Sequence, residues 1–156
     1  MIHKEKIEIG DELLKVMVDW IKYERVIDPT GRGSGHPTGS QHTIKPDQKQ
    51  FVSLFNIIRG IIKLSSGRKF FMPDIWVNYL PPNGKNGKHK HDNVDIGGCF
   101  YLVVPENSGT IEFDTGEVIL PEVGDLLYWN ADKVHWVNEN KASEDRISIA
   151  FNVKFL

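Results

Sequence analysis

His89-Lys90-His91, His135 and Arg146 are the residues of this chain whose types and spacing carry chemistry. The H-x-H pair stands just before an apolar segment, His135 follows His91 by 44 residues, and Arg146-Ile147-Ser148 comes 11 residues after His135. On an extended backbone residues i and i+2 point to one side, so the rings of His89 and His91 can meet one ion. A third imidazole from a distant strand completes a face of three ligands and leaves coordination positions open. A guanidinium on the last strand offers two parallel N–H bonds to a carboxylate. The pattern points to a mononuclear metal site with an anionic co-substrate beside it. His89, His91 and His135 are the candidate ligands for Fe(II), Mn(II), Co(II), Ni(II) or Zn(II). Asp92 is the alternative to His91 if the backbone bulges there, or else a partner that orients an imidazole.

An H-x-H pair alone is a weak signal, since surface histidine pairs are common; the distal histidine and the arginine give it weight. His3, His36 and His42 lie outside the strand region and read as surface or loop histidines. Cys99, between Gly98 and Phe100, reads as a small core residue.

The elements that must position these groups fall into two textures. From Asp11, the residues Leu13, Leu14, Met17, Trp20 and Ile21 recur at helical spacing, which predicts a first helix. Phe51, Leu54, Phe55, Ile58, Ile61 and Ile62 form the apolar stripe of a second helix between Pro46 and Leu64, with Pro46 in its first turn and Ser65-Ser66-Gly67 as its stop. The glycine-rich stretch between them, residues 28–40, predicts a long loop of functional or merely connecting kind. After Gly67 short strands follow: Lys69–Met72, Ile75–Leu80, Gly98–Val104, Thr110–Phe113, Glu117–Leu120, Asp125–Trp129, Val134–Val137 and Arg146–Phe155, separated by Pro, Asn and Gly turns. Strands at this spacing without helices between them predict a mainly β fold, an antiparallel sandwich or jelly roll, with the N-terminal helices packed on one sheet. In the last strand alternation puts Ile147, Ile149, Phe151 and Val153 on a core face. Arg146, Ser148, Ala150 and Asn152 fall on a polar face suited to a ligand-bearing lumen.

Bulk properties bound the function. A chain of 156 residues makes one domain, 1–156, with 1–67 as helical support and loop and 68–156 as the β core. A net charge of −2 and a pI near 6.3 argue against general nucleic-acid or membrane-surface binding. One cysteine and the absence of an apolar leader or span predict a soluble protein of the reducing cytoplasm. Exposed strand edges leave room for a homodimer without specifying one.

The segment from Trp76 onward resembles the 2-oxoglutarate/Fe(II) oxygenase superfamily, in particular small oxygenases of bacteria and phages, with prolyl hydroxylases as more distant kin. The residues that carry the resemblance are Trp76-Val-Asn78, His89-Lys-His91, Gly98-Cys-Phe-Tyr101, Pro121-Glu-Val-Gly-Asp125, His135 and Arg146-Ile-Ser-Ile-Ala-Phe-Asn152, covering about half of the chain. The resemblance implies a double-stranded β-helix in which His89 and His135 bind Fe(II). It implies that Arg146 pairs with the distal carboxylate of 2-oxoglutarate, that Ser148 adds a hydroxyl donor, and that Tyr101 and Tyr79 contact the co-substrate. The implied activity is hydroxylation of a small-molecule or protein substrate with O2 and 2-oxoglutarate. The chain departs from the commoner H-x-D motif in having His91 at its third position. Two other readings fit the residues: a cupin-like three-histidine metalloprotein that does not use 2-oxoglutarate, and a non-enzymatic jelly-roll binding module.

Overall fold

The computed structural model describes residues 1–29 and 40–156. Its elements are β1 (Ile2–Lys6), α1 (Asp11–Ile27), β2 (Ser40–Thr43), α2 (Val52–Ser66), β3 (Phe70–Phe71), β4 (Ile75–Leu80), β5 (Asn86–His89), β6 (Ile96–Val103), β7 (Ile111–Phe113), β8 (Val118–Ile119), β9 (Asp125–Asn130), β10 (His135–Val137) and β11 (Arg146–Phe155). A larger antiparallel sheet runs β1-β9-β6-β11-β4-β2, with β3 paired to the end of β11. A smaller one runs β5-β10-β7-β8. This is the expected mainly β jelly roll.

The two helices cover one face of the larger sheet. α1 begins behind Gly10 with Asp11 and Glu12 in its first turn, where carboxylates complement the exposed N–H groups. It buries Met17 and Ile21. α2 buries Leu54, Phe55, Ile58 and Ile62 and stops at Gly67, whose left-handed φ of 66° turns its N–H back to the Lys63 carbonyl. These side chains pack on Val77, Phe100, Leu102, Ile147, Ile149 and Phe151 of the larger sheet. Each such fully buried aliphatic or aromatic side chain is worth about 1.5–3 kcal/mol. A second apolar cluster of Cys99, Tyr101, Ile111, Phe113, Leu127 and Trp129 lies between the sheets.

Several local expectations change. α2 starts at Val52 and not at Pro46, because the Gln48 N–H bonds the Lys45 carbonyl and puts Pro46 second in a turn, where its fixed φ also serves. Strands β1, β2 and β5 were not expected from the sequence. β1 is an edge strand of mostly exposed residues. It is held by its ladder to β9 and by Lys4 and Lys6, which lie 3.1 and 3.2 Å from the buried carboxylate of Asp125. His3 therefore sits on a strand, stacked on Tyr128 with ring centroids 4.6 Å apart. His42 is corrected more sharply: it lies on β2 and is buried, because β2 pairs with β4 and turns that ring toward the helix side. His36 and most of the glycine-rich loop lie outside the described residues. Among the described residues no helix is long and apolar enough to cross a membrane.

The closest approach in the larger sheet is at Gly98, paired with Phe151. A Cβ built there would stand 2.1 Å from the Phe151 ring, itself fully buried. Gly98→Ala is therefore expected to destabilise the protein by about 1–3 kcal/mol through overpacking. Urea denaturation reads this directly, and an unchanged midpoint would mean the Phe151 ring has room to retreat.

Candidate metal centre

β11 sets the parity of the site. Its pairing with β4 places Arg146 opposite Leu80, Ser148 opposite Asn78 and Ala150 opposite Trp76, while its pairing with β6 sets Ser148 against Tyr101 and Ala150 against Cys99. Antiparallel partners share a face, so all of these side chains enter the space between the two sheets. They line one cavity together with Gln41, Asn86, His89, His91 and His135.

The three histidines arrive by different routes. His89 ends β5 and is the direct partner of His135 on β10. His91 lies just past β5, where its backbone N–H bonds the Ala131 carbonyl. One potential ligand atom from each ring falls within 4.8 Å of the other two. In every case Nδ1 is already engaged. It donates to the Gly87 carbonyl in His89 (2.8 Å), to the Asn152 side-chain oxygen in His91 (2.6 Å) and to the Lys133 carbonyl in His135 (3.1 Å). A carbonyl can only accept, so Nδ1 carries the proton and Nε2 keeps its lone pair. That is the tautomer a metal needs, arranged three times over.

Electrostatics favour the neutral ring at His135 and at His91. Burial, followed by the neighbouring charge of His89, pushes the His135 imidazole down to about 3. Burial also lowers His91, against the opposing pull of Asn152 and Asp74. Neutral imidazoles bind metal without a proton to expel. Trp129 and Phe113 pack on His135, with centroids 4.8 and 5.7 Å away, and Trp76 faces His91 at 6.0 Å. Asp92 lies outside the three-histidine group: it is exposed, stands 3.8 Å from Lys90, and reaches His91 through its charge. Asp95 accepts from the Phe155 N–H and so faces another way. The residues brought together are three imidazole nitrogen donors, a set suited to divalent transition metals.

Arg146 is 3% exposed. Its Nη1 donates to the carbonyls of Ser108 and Gly109, both at 3.0 Å, and its guanidinium carbon lies 5.7 Å from the Tyr101 ring. Gly109 has φ of 92°, and a Cβ there would stand 2.6 Å from the Asn138 carbonyl oxygen, so this turn requires glycine. Nε of Arg146 is buried and has no partner. An unpaired buried donor on a charged group is costly unless an anion completes it. Burial raises the Tyr101 phenol well above its usual range, so it stays a neutral O–H. Ser148 and Tyr101 are both in hydrogen-bonding relation to the Cys99 thiol, which makes Cys99 a lumen residue as well as a packing one.

Tyr79 does not join the site. Its neighbours Asn78 and Leu80 face the cavity, so Tyr79 faces the helices, where its hydroxyl donates to Asp145 (2.9 Å) and Arg25 lies 3.6 Å over its ring. Asn152, which alternation puts on the lumen row of β11 without naming a role for it, holds His91, and Gly97, not singled out in the sequence, lies under the Trp129 indole, where a Cβ would stand 3.3 Å from its nitrogen. Strand parity was the available signal for both.

No family model and no curated protein matches the sequence. Solved structures do match the fold. The viral collagen prolyl hydroxylase of Paramecium Bursaria Chlorella virus-1, in a 2-oxoglutarate complex, is 15% identical and covers 99% of this chain and 96% of its own, at a TM-score of 0.78. A Pseudomonas putida prolyl-4-hydroxylase is 14% identical, with 98% and 92% covered and a TM-score of 0.74. HygX of Streptomyces hygroscopicus, with nickel and 2-oxoglutarate bound, is 12% identical, with 98% and 82% covered and a TM-score of 0.72. The chain shares the fold of these proteins.

Proposed function

We propose that this chain is a 2-oxoglutarate- and Fe(II)-dependent oxygenase that hydroxylates a small-molecule or protein substrate. The observation that carries the reading is one cavity holding both three Nε2-presenting histidines and a buried arginine with an unpartnered Nε. A cupin-like site without 2-oxoglutarate accounts for the histidines and leaves that orphaned donor unexplained. The fold shared with a 2-oxoglutarate-bound prolyl hydroxylase adds support.

His89, His91 and His135 would hold the metal, and Arg146 would pair with the distal carboxylate of 2-oxoglutarate. When bound, the pair supplies an oxidant from O2 as 2-oxoglutarate becomes succinate and CO2. The protein's residues then have separate tasks. The imidazoles orient the ion and, being neutral, leave its charge to be balanced by the co-substrate's carboxylates. Ser148 and the neutral Tyr101 hydroxyl offer donors near the guanidinium. Trp76, Leu80, Ile111, Trp129 and Val137 line the same cavity and exclude water from a reactive centre. Gln41 donates to the Asn78 side-chain oxygen (2.9 Å), and so does the Trp76 indole (3.1 Å), which fixes the polar part of the wall that a substrate meets. A reducing compartment such as the cytoplasm would suit both Fe(II) and the free Cys99 thiol.

The test is calorimetric titration of 2-oxoglutarate into anaerobic, Mn(II)-loaded protein. Binding at one equivalent per chain is expected. If metal-loaded protein takes up no 2-oxoglutarate, the oxygenase reading falls and a three-histidine metalloprotein of another chemistry replaces it.

A further inference from the structure

His89 and His135 owe their orientation to their own backbone, each Nδ1 reaching the carbonyl two residues earlier. His91 has no such local acceptor. Its Nδ1 donates to the side-chain oxygen of Asn152, 61 residues away on β11. The Asn152 amide is itself fixed, because its nitrogen donates to the Asp74 carboxylate at 3.1 Å and its backbone N–H donates to the Asp74 carbonyl at 3.0 Å. A carboxylate accepts only, so it selects the amide rotamer that turns the Asn152 oxygen toward His91. The same β11 position pairs with Gly97, where a Cβ would stand 3.7 Å from the His91 ring and 3.3 Å from the Trp129 indole nitrogen. The slot for His91 is thus formed by Gly97 beneath it, Trp76 beside it and Asn152 at its edge.

We infer that Asn152, oriented by Asp74, is the positioning residue that makes His91 a metal ligand. This rests on the three-histidine metal site proposed above. The histidine at this motif position lies beyond the end of β5, where the backbone is tied by its N–H bond to the Ala131 carbonyl and the β5 ladder does not set the ring. A side chain from the sheet floor supplies the constraint in its place. Because the direct partner is an amide, His91 remains a neutral imidazole while the Asp74 charge acts one bond further out. A carboxylate in direct contact would draw the Nδ1 proton and give the ring more anionic character.

The test is metal affinity, by Ni(II) and Mn(II) competition with a chelator, in wild type, Asn152→Leu, Asn152→Asp and Asp74→Asn, each with and without His91→Ala. Asn152→Leu is expected to weaken binding roughly 10–100-fold, the usual effect of removing a partner that orients a ligand. Asn152→Asp keeps the acceptor and is expected to recover most of that loss. In the His91→Ala background Asn152→Leu should cost nothing further, which separates positioning of His91 from a general structural role. In wild-type apoprotein, nitrogen NMR of the His91 ring should show the proton on Nδ1, and in Asn152→Leu that preference should be lost. Unchanged affinity in Asn152→Leu, or a loss that persists without His91, overturns this inference and leaves the metal site standing. A wild type that binds neither metal overturns both.

Discussion

Arg146→Ala is expected to cost about 2–5 kcal/mol of 2-oxoglutarate affinity, the range for stripping one partner from a buried charge pair, while the metal still binds at full stoichiometry. The asymmetry follows from geometry. Nη1 is occupied by the Ser108 and Gly109 carbonyls, which pins the guanidinium plane, while the buried Nε is left without a partner. A pinned plane loses little further entropy on binding a carboxylate, so most of the interaction appears as affinity. Truncation to alanine also strands two carbonyls, at about 1–3 kcal/mol for each group left unsatisfied. Arg146→Lys is the necessary companion: it keeps the charge and can reach a carbonyl, and it cannot present a planar fork. The lysine variant should be the more stable of the two and still bind 2-oxoglutarate poorly. Calorimetry with Mn(II)-loaded protein, beside metal content by elemental analysis, reads both halves. Equal 2-oxoglutarate affinity in wild type and Arg146→Ala would remove the arginine from the site.

What the sequence made legible, and what it hid, has physical causes. β4 and β11 match their expected bounds, Ile75–Leu80 and Arg146–Phe155, because both are long and buried on two faces. Alternation along β11 also separated the lumen row from the core row correctly. β1, β2 and β5 stayed hidden because edge strands are held by their ladders and by charged side chains, and leave little apolar pattern to read. Tyr79 was misplaced by resemblance, although parity argued otherwise: Trp76 and Asn78 face the lumen, so Tyr79 cannot on a regular strand. His91 joined the other histidines even though β5 ends at His89, since the Asn152 contact replaces the strand geometry assumed for it. That contact spans two segments far apart in sequence, and no local pattern encodes it. The arginine clamp is similar, because its acceptors are backbone carbonyls whose positions depend on the turn at Gly109.

His135→Ala should abolish most metal affinity and, in the same protein, flatten the acid limb of stability. His135 is the most enclosed of the three rings, 3% exposed and packed between Trp129, Phe113 and His89. Its imidazole is pushed from 6.5 to about 3, mainly by burial. Below about pH 6.5 the unfolded chain therefore takes up a proton that the folded apoprotein refuses. Stability is lost as pH falls through the window from 6.5 to about 3, at up to ~1.4 kcal/mol per pH unit for one such group, and levels off below it. Alanine has no proton to refuse. The variant should be less stable than wild type at pH 7, having lost the packing of the ring, and the gap should narrow or reverse by pH 4.5. The shares from His91 and His42, also lowered by burial, and from the depressed Asp125 carboxylate would remain in its slope. Bound metal favours the neutral folded ring and adds stability by mass action, so loading should shift wild-type unfolding upward at pH 7 and do far less for the variant. Urea denaturation of EDTA-treated protein at several pH values, repeated with Ni(II), measures every part of this. Parallel pH profiles for the two apoproteins would show that His135 is not held neutral, and equal metal stoichiometry would remove it from the ligand set.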